Sequence, residues 1–192
     1  INYTDALYPS LTRYPYPKAG QTNASVRIGV VAAAGGPTRW MKIPGDPRNT
    51  YVARMDWAAN PDELVLQHLN RLQNTNTVLL ANATSGDVRT MFVDQDEAWV
   101  DYNAAFTWIE QGRRLLFESE RDGWQHAYAI SRDGQARLIT TGAFDILSIA
   151  GVDEAGGWLY YIASPTNATQ RFLYRSRLDG TGRPERVTPA AA

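Results

Sequence analysis

The chain has 192 residues, with 19 Lys and Arg against 20 Asp and Glu for a formal charge of −1, a balance that argues against nucleic acid or an anionic membrane as its main partner. It has no cysteine and only two histidines, His68 and His126, which excludes disulfides and thiolate metal sites and leads us to expect no metal and no cofactor. No stretch reaches the roughly 20 apolar residues of a membrane helix, no signal-peptide pattern opens the sequence, and Ile1 in place of an initiator Met suggests a processed or excised piece.

Six tryptophans and ten tyrosines with few long apolar runs point to an all-β chain. Residues 1–25 read as an arm or linker; they include "RYPYPKAG" (Arg13–Gly20), where two prolines hold two tyrosines on stiff backbone. Residues 26–50 hold the strand-like runs "VRIGVVAA" and "TRWMKIP", joined by the turn signal "AGGP". Residues 51–100 carry "YVARMDWA", "DELVLQHLNR", "TNTVLLANA" and "DVRTMFVD". Over 101–145 come "AAFTWI", "RRLLFESE", "HAYAIS" and "ARLITTG"; the last unit, 146–192, is led in by "FDILSIAG" and continues with "GWLYYIAS", "QRFLYRSR" and "PERVTP".

These runs repeat. Gly86, Gly134 and Gly180 each precede a β-branched or leucine-bearing strand, at intervals of 48 and 46 residues. "ELVL", "RLLF" and "WLYY" recur at matching phase. Units of this length with about four strands each are the signature of β-propeller blades. The expected fold is a partial β-propeller of about three and a half four-stranded antiparallel blades, with 26–50 as the half blade. A closed ring takes about 4–8 blades, so the chain reads as a fragment of a propeller, or as one that pairs with another copy.

Chemistry-bearing motifs are sparse. There is no G-x-S-x-G elbow, H-E-x-x-H or P-loop. His68 and His126 fall in strand-like runs without a visible partner and read as structural. Glu118 and Glu120 share a strand face, and the nearby Arg113, Arg114 and Arg121 suggest ion pairing. "VDQDE" (93–97) has three acids but not the spacing of a calcium loop, so it reads as an exposed turn. Within "EAWVDYN" (97–103), Trp99 either anchors packing or faces a ligand. Arg71 either bridges blades or points into a channel. Sequons stand at Asn2, Asn23, Asn82 and Asn167.

Taken in order, "YPYPKAG", "QHLNRLQN" and "SERDGWQHAY" resemble the propeller domain of the dipeptidyl peptidase IV family in the prolyl oligopeptidase clan, with "TTGAFDI" and "LYYIAS" in support. "SERDGW" is more similar to the bacterial members. The resemblance implies a parent serine exopeptidase that releases X-Pro or X-Ala dipeptides from peptide N-termini. Its triad would lie on a C-terminal α/β-hydrolase domain, which would be the propeller's partner, with peptide as substrate. This chain holds no recognisable part of that triad and is expected to be non-catalytic alone. The family's Glu-Glu pair, which binds the substrate amino group, lies upstream of the "YPKAG" region. Asp62 and Glu63 lie downstream of it and do not match. Animal members place a substrate-facing Phe-Arg pair just after the "WV" words; here Asp101, Tyr102 and Asn103 stand there and are the candidate substrate-facing residues. The resemblance also implies a homodimer in which an arm carrying Arg13, Tyr14, Tyr16 and Lys18 meets the partner subunit, and a periplasmic, secreted or membrane-tethered location. Two rival readings are a stand-alone propeller-type binding module and the propeller of another clan member such as an acylaminoacyl peptidase.

Overall fold

The structure, a computed structural model, describes residues 3–189; the Asn2 sequon lies outside them. Among the described residues there is no helix, and the strands form four antiparallel sheets. Sheet 1 pairs β1 (Gly29–Val30) with β2 (Arg39–Trp40). Sheet 2 holds β3 (Thr50–Trp57), β4 (Glu63–Asn70), β5 (Thr75–Asn82) and β6 (Val88–Gln95). Sheet 3 holds β7 (Thr107–Ile109), β8 (Arg114–Ser119), β9 (His126–Ser131) and β10 (Ala136–Leu138). Sheet 4 holds β11 (Ile146–Asp153), β12 (Trp158–Ala163), β13 (Phe172–Arg177) and β14 (Glu185–Arg186). In each full sheet, consecutive strands are neighbours. The architecture is the partial all-β propeller that the repeat predicts.

The sheets stack face to face, and side-chain alternation explains the cores between them. Along β4, Leu64 and Leu66 turn toward sheet 1 and join Ile28 and Met41, while Val65 turns the other way to meet Leu115 and Phe117 of sheet 3. Along β8, Leu116 in turn faces sheet 4 and packs with Leu159 and Tyr161. A sheet covered on both faces needs apolar residues on both, which is why the middle strands read as unbroken apolar runs. Burying one such Leu or Phe contributes about 1.5–3 kcal/mol.

The repeated glycines have a physical role in this stack. Each lies in the turn between the third and fourth strands of its sheet, with φ of +75° at Gly86, +89° at Gly134 and +75° at Gly180. Each turn presses on the outermost strand of the preceding sheet. A Cβ at Gly86 would sit 2.5 Å from the carbonyl oxygen of Trp40 in β2; at Gly134 and Gly180 it would sit closer still to those of Met91 in β6 and Leu138 in β10. Only glycine combines the left-handed backbone with that approach. Cations complete the joints: Arg89 Nη1 donates to the Arg132 carbonyl at 2.8 Å, and Arg137 Nη2 donates to the Leu178 carbonyl at 2.9 Å. Arg132 adds a second tie between sheets 2 and 3, donating to Glu63 at 2.6 Å and to the Gly112 carbonyl at 2.8 Å while covering the Trp108 ring.

Several local expectations are corrected. The strands of sheet 1 are two residues each, shorter than "VRIGVVAA" and "TRWMKIP" suggest, because among the described residues this sheet has one hairpin and no further strand to pair with. Arg71 stands just past β4 rather than within a strand; it donates to the Tyr51 hydroxyl and lies over that ring. His126 does have a partner, since its Nδ1 lies 2.8 Å from an Asp122 carboxylate oxygen. The arm carries Tyr14 and Tyr16 76% and 80% exposed, and Arg13 and Lys18 are exposed beside them.

Candidate functional site

On one rim of the stack, the link from β6 to β7 folds over the ends of β6 and β8 and encloses a cavity of about 360 Å³. Its lining includes Asp94, Trp99, Asp101, Tyr102, Asn103, Glu118, Glu120 and Arg121. The three residues expected to face substrate are therefore together at one cavity, although their side chains are placed differently. Tyr102 is half exposed. Asp101 accepts a hydrogen bond from the Trp99 indole Nε1 at 3.0 Å, so the ring and the carboxylate are held as a unit.

Asn103 is buried and braces the wall. Its Nδ2 donates to the Glu118 carbonyl at 2.9 Å, and its Oδ1 accepts from the Glu118 N–H at 2.6 Å, so the side-chain amide pairs with β8 as a strand would. Its backbone is gripped from the other side by Gln67 of β4. Gln67 Nε2 donates to the Asn103 carbonyl at 2.7 Å, and Gln67 Oε1 accepts from the Asn103 N–H at 2.8 Å and from Asn76 Nδ2 at 2.9 Å. Such a buried amide network joins sheets 2 and 3 and fixes the loop between them. Sequence reasoning did not flag Gln67 or Asn76, because each stands beside other polar residues, His68 in β4 and Thr75 and Thr77 in β5, and nothing in the pattern sets it apart.

The acids divide into two kinds. Asp94, expected in an exposed turn, is buried: it accepts from Ser119 Oγ at 2.6 Å and pairs with Arg121 Nη2 at 3.2 Å. Arg121 also donates to the Val93 carbonyl at 2.8 Å and covers the Phe92 ring. The expected pairing of arginines with Glu118 and Glu120 is corrected, because Arg121 is taken by Asp94 and Arg114 by Glu110. Glu120 is exposed, whereas Glu118 is half-buried with no cation paired to it among the described residues, and burial pushes its carboxyl above the usual range. Beside the cavity, burial alone would raise the Asp122 carboxyl, but hydrogen bonds from His126 and the Trp124 N–H outweigh it and hold the group below the usual range. The other histidine, His68, is pushed below its ordinary value by burial. Among the described residues, no group of three or more His, Cys, Asp or Glu side chains is arranged to hold a metal ion. Chemically, the cavity offers aromatic surface beside a half-buried unpaired carboxylate, an arrangement that suits a basic or aromatic part of a ligand.

A family model described as "Dipeptidyl peptidase IV (DPP IV) N-terminal region" matches residues 1–192. "Inactive dipeptidyl peptidase 10" of Mus musculus is 28% identical over 193 residues, covering 93% of this chain and 24% of its own length. "Probable dipeptidyl peptidase 4" of Emericella nidulans is 23% identical over 180 residues, covering 87% of this chain and 23% of its own. The crystal structure of dipeptidyl peptidase 4 of Porphyromonas gingivalis is similar with a TM-score of 0.81 at 30% identity, covering 97% of this chain and 26% of that one. The chain thus spans about a quarter of the length of these relatives. With its whole length matched and its sheets laid out as in a solved relative, the chain belongs to the dipeptidyl peptidase IV N-terminal region family.

Proposed function

We propose that this chain serves as the substrate-side propeller segment of a dipeptidyl peptidase IV-like serine exopeptidase, working with a C-terminal α/β-hydrolase domain that carries the triad. The observation behind this is the rim cavity, where Tyr102 and the Trp99-bonded Asp101 are exposed at the mouth and Asn103 anchors the loop beneath them. In this reading, Tyr102 and the Trp99–Asp101 pair contact the peptide, Glu118 favours a basic group, and Asn103 positions the loop. The stiff stacked sheets limit access to short, unfolded peptide ends. Arg13, Tyr14, Tyr16 and Lys18 form the subunit contact of a homodimer, since tyrosines supply contact area with a polar tip and prolines lower the entropy lost on docking.

This chain alone carries out no peptide hydrolysis in this reading, and turnover of a Gly-Pro chromogenic substrate by the purified chain would contradict it. Binding is tested by titrating isotope-labelled chain with short X-Pro peptides. The Trp99 indole and the backbone amides of 101–104 are expected to shift, more for peptides carrying Arg than for those carrying Glu, and Tyr102→Ala is expected to suppress the effect. Shifts confined to other sheets would remove the cavity from the account. A non-catalytic binding role for the whole protein is the second reading, supported by the likeness to a mouse protein named as inactive. A longer gene product lacking a downstream G-x-S-x-G would favour it.

A further inference from the structure

Gln67 stands where the packing calls for an apolar residue. It lies two positions after Val65 on β4, on the face that packs against sheet 3, and it is fully buried. An amide buried in such a core is costly unless its donor and its acceptor are both used. Here one residue uses both: Gln67 Nε2 donates to the Asn103 carbonyl at 2.7 Å, and Gln67 Oε1 accepts from the Asn103 N–H at 2.8 Å. Among neutral side chains an amide is the group that sets a separate donor and acceptor side by side, as a neighbouring strand does. Asn76 of β5 donates to the same Oε1 at 2.9 Å, which fixes which end of the Gln67 amide meets which backbone group.

The run of amides continues beyond Asn103. β7 pairs with β8 only as far as Leu116. Two residues further along β8, the Asn103 side chain takes that strand's place and holds both backbone groups of Glu118. Tyr102, next to Asn103 in the chain, and Glu118 both line the rim cavity, whereas Gln67 and Asn76 lie behind its wall and line none of it. The two cavity residues are thus held relative to each other through Asn103 alone, and the backbone of Asn103 is set by Gln67.

We propose that Gln67 is a positioning residue of the rim cavity: from behind the wall it sets the spacing of Tyr102 from Glu118, and through that spacing the preference for peptides that carry a basic group. This inference rests on the peptide-handling reading and adds to it that selectivity is governed by a side chain that touches no peptide. A role confined to joining the sheets would change stability without changing which peptide is preferred.

The test is a titration of the isotope-labelled 192-residue chain, unaltered and with Gln67→Met or Asn76→Ala, using two X-Pro peptides that differ only in carrying Arg or Glu. Met has nearly the volume of Gln and removes both bonds to Asn103. Amide exchange in the same samples reports folding. In Gln67→Met the amides of β4, β5 and β9 are expected to stay protected, while those of Asn103 and Glu118 exchange about tenfold faster or more. Affinity for the Arg peptide is expected to fall about tenfold and that for the Glu peptide about twofold or less, so the ratio between them narrows. Asn76→Ala leaves the Gln67–Asn103 pair in place and is expected to narrow the ratio about threefold. A folded Gln67→Met that weakens both peptides equally, or neither, overturns the proposal and leaves the peptide-handling reading standing. Where Gln67→Met does not fold, an unchanged ratio in Asn76→Ala overturns it instead. An unaltered chain whose cavity resonances shift with neither peptide overturns the reading and the proposal together.

Discussion

Asn103 shows why residue types alone leave a role undecided. Its position after "WV" was legible in the sequence, but its four hydrogen bonds depend on β4 and β8 meeting it from opposite sides. Asn103→Ala removes the side-chain pair and leaves the Glu118 N–H and carbonyl without partners; chemical denaturation should read a loss of about 2–4 kcal/mol. Glu118 makes a separate prediction. Its folded-state pKa is raised by burial, so the folded chain holds a proton there more readily than the unfolded chain does. Stability from this group is full below the usual carboxylate range and is lost as pH rises through the raised value. Glu118→Gln should therefore melt higher than the unaltered chain at neutral pH and alike at strongly acidic pH. A neutral-pH melting point lowered by the substitution would mean that an unseen cation partner serves Glu118. The pairing of Arg121 with Asp94 rather than with the nearer glutamates was not legible, because it is set by the packing of sheet 3 on sheet 2.

At the scale of the element, the repeat was the strongest signal, because each sheet must solve the same joint with the same glycine. Strand lengths were less legible where pairing partners are lacking, as in β1 and β2, and the β6 bulge left no mark in composition. Gly134 and Gly35 offer a matched comparison, since their φ values of +89° and +86° carry the same backbone strain but only Gly134 has a neighbour in the way. Gly35→Ala in dilute solution should cost about 1–2 kcal/mol, the left-handed backbone penalty. Gly134→Ala should cost a further 1–3 kcal/mol for forcing β10's turn off the Met91 carbonyl. Equal losses at the two positions would show that the joint between sheets 2 and 3 yields at little cost.

At the scale of the whole molecule, three complete sheets and a half, an extended arm and a rim cavity make a segment whose parts face outward as well as inward. Replacing both Tyr14 and Tyr16 by Ala in the full-length protein should weaken the proposed dimer and leave the melting temperature nearly unchanged, because both side chains lie exposed in the chain. A dimer of unchanged affinity would return the arm to the status of a linker. Whether the proposed rim cavity receives peptide is read from the kinetics of the full-length protein with Asp101→Asn and Tyr102→Ala combined. If it does, kcat/KM for an extended X-Pro peptide falls about tenfold, through KM, with kcat and folding intact. Unchanged kcat/KM for every peptide length and charge would contradict it.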